Sequence, residues 1–130
     1  MQDQPSSAEL IQAVADFLRD QVMPNLEGHL AFHARVASNA LEIVKREIEI
    51  APVENLAETE RLKKLTGKDG SLADLNQELC SAIESGVITL ATPGLKEHLW
   101  LTTLTKLAID QPTYSGYRRG LEEWQASQKG

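Results

Sequence analysis

The segment from Gly28 to Ile50 limits most strongly what this chain can fold into, because its apolar residues recur at helical spacing throughout. They cover more than half of the helix circumference, a wider stripe than a helix packed on one side needs. The pattern therefore predicts one helix with neighbours on two sides, which ends at Pro52 because proline disfavours helical geometry in the residue before it. The apolar residues are Leu30, Phe32, Val36, Ala37, Ala40, Leu41, Ile43, Val44 and Ile48.

Cap residues predict where two further helices begin. Ser6 with Glu9 is a capping-box pattern, in which a hydroxyl and a carboxylate each bind a free amide, and the apolar stripe that follows runs to about Met23. Ser71 and Asp74 mark the start of another helix, whose leucines make a narrow stripe.

The other segments differ in how much apolar surface they carry. Residues 53–66 are charged and only weakly amphipathic, so we expect a peripheral helix there. The β-branched run 87–91 has no second strand to pair with and is expected to be an extended connector. A helix from Thr92 to about Asp110 is apolar nearly all round, which predicts a central position, and a last helix follows Pro112.

These patterns together predict an all-α fold, a single bundle of five to six helices. A chain of 130 residues has the usual length of one domain and hides enough surface for a genuine core. We expect residues 1–6 and 126–130 to be frayed.

Charge and cysteine content exclude several classes of partner. The net charge is −6 and no Lys/Arg run exceeds two residues, whereas nucleic acid and anionic lipid need a concentrated positive face. One cysteine allows no intrachain disulfide, the N-terminus is polar where a secretory signal is apolar, and no apolar run approaches membrane length. We therefore expect a cytoplasmic protein without nucleic-acid or membrane partners.

Two histidines, His29 and His33, lie four residues apart on the apolar side of the long helix. Two imidazoles at this spacing bind zinc in hydrolases, but Leu30 stands where the His-Glu-x-x-His motif has glutamate. We favour rings that lie in the core and bond a carbonyl or an acid. The alternative is a metal site with ligands from elsewhere: His98, Glu47, Asp110 or Cys80.

A polar stripe of His98, Thr102 and Thr105 interrupts the apolar penultimate helix. It is typical of a small pocket, or of threonine hydroxyls that bond the carbonyl one turn back, which we favour. If His98 is buried, its pKa falls and it becomes a proton carrier near neutral pH. His29, His33 and His98 are therefore the candidates for catalysis, although no catalytic motif and no cofactor site is predicted.

Aromatic residues follow one side of the last helix. They either dock that helix on the bundle or form a subunit interface, since Tyr, Trp and Arg are enriched where proteins meet. The second interpretation makes the chain a homodimer. The residues concerned are Tyr114, Tyr117, Arg118, Leu121 and Trp124.

Two stretches resemble a family of small uncharacterised bacterial proteins: 17–41, with the run Pro-Asn-Leu-Glu-Gly-His-Leu-Ala-Phe-His-Ala-Arg from Pro24, and Asp-Gln-Pro-Thr-Tyr at 110–114. The resemblance implies that the gene for this chain lies beside genes for aminoglycoside-phosphotransferase-like kinases and acyl-CoA dehydrogenases. This chain has the motifs of neither enzyme, so the resemblance implies an accessory subunit in coenzyme A-linked catabolism. We expect a non-catalytic interaction protein, the alternative being a small helical enzyme or a ligand- or metal-binding protein that uses the histidines.

Overall fold

The computed structural model describes residues 3–130, and this part of the chain is all-α without a strand, as predicted. Residues 1 and 2 of the predicted frayed end lie outside the described residues, and the last helix extends further than expected. A π-helical turn, Leu18–Val22, and a 3-10 turn, Met23–Asn25, follow the first helix. The helices are α1 (Ser7–Phe17), α2 (Gly28–Thr66), α3 (Leu72–Glu84), α4 (Leu95–Asp110) and α5 (Ser115–Ser127).

The predicted capping box at Ser6 is confirmed, and the predicted helix start at Ser71 is confirmed and is also a capping box. The Ser6 amide donates to Glu9 Oε2 at 2.7 Å, and the Glu9 amide donates to Ser6 Oγ at 3.3 Å. At the start of α3 the Asp74 amide donates to Ser71 Oγ at 3.1 Å. The α-helical part of the first helix is shorter than predicted, because the chain widens into the π-helical turn after Phe17.

The predicted end of the long helix at Pro52 is wrong, because α2 continues through this proline for 39 residues. Proline lacks the amide that would bind the carbonyl of Ile48, four residues earlier. Both Pro52 and Ile48 are exposed, so water can bind that carbonyl. The helix therefore continues with one backbone hydrogen bond fewer.

The chain forms two compact units, which divide between Ala51 and Pro52. In the first unit, α1 and the first part of α2 run antiparallel, since Ala15 meets Ser38 whereas the earlier Gln12 meets the later Lys45. Their contact is made by small residues: Ala15 is fully buried, and the buried Ser38 hydroxyl donates to the Ala15 carbonyl at 2.9 Å.

The second unit has a leucine-rich core built from α2, α3, α4 and the loop before α4. The expectation of a peripheral helix at 53–66 is wrong, because Leu62 is 0% exposed. Charged residues occupy most of that segment's circumference, and Leu62 and Leu65 are its residues in or against the leucine core. The core residues are Leu62, Leu75, Leu79, Ile88 and Leu95.

The connector 87–91 is a series of turns rather than an extended segment. Thr92 accepts the Thr89 amide on its hydroxyl at 3.0 Å and so holds this turn instead of capping α4. The cap is Gly94 and not Thr92, so the helix begins two residues later than predicted, and the φ of +88° at Gly94 is a left-handed conformation that suits glycine.

The last helix, α5, packs on α4 through Gly120, which is buried. A Cβ atom at Gly120 would lie 3.4 Å from Leu104 Cδ2 and 3.6 Å from Trp100 Cζ2, so the two helices approach closely there. This contact places the aromatic residues of α5 beside α4.

Candidate functional site: an exposed apolar flank

The structure places His29 and His33 at the surface, so the expectation that their rings lie in the core is wrong. The physical reason is the side on which α1 packs: it covers the small residues Ala34 and Ser38 and leaves the histidine side open. The His33 ring meets the Phe32 ring edge-on, with centroids 5.7 Å apart at 68°.

The side of α2 that carries these histidines is apolar and exposed, and α1 extends it. Nine large apolar side chains here are between 36% and 63% exposed. Isolated exposed apolar residues are ordinary, but a contiguous set of this size marks a binding surface. We call it the apolar flank: Leu10, Val14 and Phe17 of α1, with Leu30, Phe32, Val36, Ile43, Val44 and Ile48 of α2.

These residues do not all lie on one side of the hairpin. Gln12 Nε2 of α1 donates to Glu42 Oε1 of α2 at 2.9 Å, and Arg19 of the π-helical turn lies 3.6 Å from the same oxygen, so one side of the seam is polar. The α1 residues of the flank, with Leu30, Val44 and Ile48 of α2, lie on the other side of the Ala15–Ser38 contact. The helical spacing places the remaining α2 residues of the flank on the side of α2 that faces away from α1.

The paired histidines lack the further ligands that a metal site needs. Among the residues that the structure describes, no three His, Cys, Asp or Glu side chains come together to hold an ion. His29 and His33 belong to the first unit, whereas His98 is in the second.

The second unit contains a buried polar cluster between α2 and α4. His98 is 2% exposed, and three of the cluster's buried atoms have no hydrogen-bond partner: His98 Nδ1, Thr102 Oγ1 and Arg61 Nε. Thr105 Oγ1 donates to Glu54 Oε2 at 3.2 Å. The expectation that Thr102 and Thr105 bond the carbonyl one turn back is therefore wrong.

Burial lowers the pKa of His98, the neighbouring Arg61 guanidinium lowers it further, and the Glu58 carboxylate acts in the opposite direction. His98 is therefore neutral at neutral pH. A neutral imidazole beside a guanidinium avoids a second buried positive charge, which explains how this cluster is tolerated in a core.

We predict that stability falls on acidification because of His98. Its pKa in the folded chain is below the unfolded value of 6.5, so the unfolded chain binds the proton first. The free energy of unfolding then decreases from about pH 6.5 down to the folded pKa, by about 1.36 kcal/mol for each unit of pKa difference.

Urea unfolding across this pH range tests the prediction. The loss of stability should disappear in His98→Leu, and it should persist in His33→Gln, which removes an exposed imidazole. Equal pH dependence in wild type and His98→Leu contradicts it.

The residues predicted as an interface lie on α5, except Tyr114, which is its N-cap residue. Tyr114 is half-exposed, Arg118 is exposed, and Tyr117, Leu121 and Trp124 are half-buried. Trp124 and Trp100 line an open groove of about 420 Å³ together with Glu97 and Glu123. The interface at this helix stays a prediction.

No helix within residues 3–130 is both long enough and apolar enough to cross a bilayer.

Neither the curated proteins nor the solved structures gave a match. A family model described as "Domain of unknown function (DUF6285)" matches residues 24–114, which is well over half of the chain and includes α2, α3 and α4. The chain therefore belongs to the DUF6285 family.

Proposed function

We propose that this chain is a non-catalytic interaction protein that forms a homodimer through the apolar flank. The observation that carries the proposal is the set of nine large, half-exposed apolar side chains on the α1–α2 hairpin. Leaving them in water is costly, and covering them is the main favourable term in protein association.

The size of the flank fits a stable interface. Nine half-exposed side chains of this kind leave on the order of 700 Å² of apolar surface open, above the roughly 300–600 Å² of the largest patch on a typical monomer. A standard interface buries about 800 Å² on each partner. Packing the flank against an equal surface therefore supplies the area that a specific dimer needs.

A second copy is the occupant that fits this flank best. Two helices form one layer and cannot enclose a core, whereas a second copy packed on the outer side of α2 encloses the apolar residues there between two layers. Two-fold pairing uses the same surface on both copies, so an apolar flank is its own complement. The wide apolar stripe of α2 also matches a helix with a second neighbour.

The accessory role in coenzyme A-linked catabolism is a separate part of the proposal, supported by the resemblance described above. In this scheme an aminoglycoside-phosphotransferase-like kinase or an acyl-CoA dehydrogenase binds the dimer at another surface. The aromatic side of α5, from Tyr114 to Trp124, is the candidate for that contact, because half-exposed Tyr and Trp beside Arg are typical of binding surfaces.

Sedimentation equilibrium of the full chain tests the dimer. We expect a mass twice that of the 14.3 kDa chain at micromolar concentrations, with dissociation on dilution. A mass of one chain up to millimolar concentration overturns the proposal. The proposal is also overturned if the chain alone stays monomeric and forms a complex with one of the two enzymes only when the flank is intact.

A further inference from the structure

A row of residues along the outer side of α2 passes through Val36 and Ile43 of the apolar flank and has ionisable side chains only near its ends. From the N-terminal end the row begins with His29 and His33, and it ends with Glu47. All three side chains are exposed, and between residues 28 and 51 no other ionisable residue falls in this row. Steps of three and four residues keep the row on one side of the helix: His29, His33, Val36, Ala40, Ile43 and Glu47.

We infer that the two copies pair their α2 helices antiparallel, so that His29 of each copy lies opposite Glu47 of the other. The inference rests on the proposed homodimer and specifies its geometry. It follows from the different side chains at the two ends of the row: imidazoles at the N-terminal end and a carboxylate at the C-terminal end. This difference distinguishes antiparallel from parallel pairing, which the apolar residues alone do not.

A parallel arrangement is disfavoured by charge. It places the two Glu47 carboxylates opposite each other at one end and the imidazoles opposite each other at the other end, which leaves the acid without a donor. An antiparallel arrangement gives each carboxylate an imidazole N–H to accept from, a hydrogen bond that strengthens when the ring is protonated. Two-fold symmetry produces this pair twice in each dimer.

The register follows from the same pair. His29 and Glu47 are each nine positions from residue 38, so the two-fold axis passes level with that residue. Val36 then faces Ala40 of the other copy, and Phe32 faces Val44. Small side chains near the axis let the helices approach closely, while the larger ones fill the space on either side.

A charge exchange tests the register. We expect His29→Glu to raise the dimer dissociation constant about tenfold or more, because it places two like-charged pairs in the interface. Adding Glu47→Lys to that variant makes opposite-charge pairs again, and the double variant should recover to within a few-fold of wild type. Sedimentation equilibrium of the full chain measures each constant.

The matched control is Glu49→Lys, an exposed glutamate two positions along α2 and on a different side of the helix. It should neither weaken the dimer nor rescue His29→Glu. If wild type is dimeric but Glu47→Lys rescues no better than Glu49→Lys, the antiparallel register is wrong and the homodimer stands. If wild type is monomeric, the homodimer itself fails and the register fails with it.

Discussion

We expect Val36→Glu to convert the proposed homodimer to a monomer. Val36 lies at the centre of the apolar flank, where a carboxylate would be buried twice in each dimer without a partner, and unpaired buried charges cost several kcal/mol. We expect the dissociation constant to rise about a hundredfold or more, since central interface positions dominate binding energy. Sedimentation equilibrium measures the change, and circular dichroism shows whether the helices remain.

The same substitution at Val53 is the control. Val53 lies on the same helix and is 69% exposed, but its side chain is about a quarter turn from Val36 around the helix axis. Val53→Glu should leave the dissociation constant unchanged within experimental error. Equal effects of the two substitutions, or a Val36→Glu variant that dimerises as wild type does, contradict the assignment of the interface to the flank.

Leu62→Ala should destabilise the chain by about 2–5 kcal/mol, the range found when a buried leucine is cut to alanine and leaves a cavity. Leu62 is 0% exposed and lies in the core with Leu75 and Leu95. Such a loss is a large part of the total stability of a small protein. Urea unfolding followed by circular dichroism measures it.

Leu56→Ala provides the comparison within the same helix, because Leu56 is 70% exposed. Removing its side chain should change the free energy of unfolding by less than about 0.5 kcal/mol, as for most surface substitutions. Similar values for the two variants contradict the placement of Leu62 in the core. A large loss in Leu62→Ala alone shows that the charged half of α2 is a core element.

The helical nature of the chain was predictable from the sequence because caps and apolar spacing act locally. Ser6 with Glu9 forms the capping box that their types and spacing predict, and Ser71 with Asp74 begins a helix as predicted. Pro52 was misleading, since the effect of a proline depends on whether the carbonyl it leaves free reaches water. That property belongs to the packed chain and not to the local sequence.

The apolar flank was partly predictable. The wide stripe of α2 predicted neighbours on two sides, whereas in the first unit α1 covers one side and the large apolar side chains of the flank are exposed. Periodicity does not say which part of the stripe a neighbour takes. The contact of Ala15 with Ser38 decides that choice, and it joins residues 23 positions apart in the sequence. The assignment of His29 and His33 to the interior failed for this reason.

The polar cluster around His98 could also be predicted only in part from the sequence. Its stripe on α4 was visible as an interruption of an apolar pattern, whereas its partners on α2 were not. Glu54 is 51 residues from Thr105, and neither Glu54 nor Arg61 stands out in a segment rich in charge. Local patterns therefore identified one half of this cluster.

The small residues that join α1 to α2 have a consequence for the order of the N-terminal third of the chain. Alanine and serine side chains bury little area, so the hairpin gains little free energy from its own seam. In the proposed homodimer, the second copy covers the exposed apolar residues of the flank and adds to the free energy that orders these helices. We therefore expect the amides of α1 to exchange hydrogen faster on dilution, and before those of the leucine core.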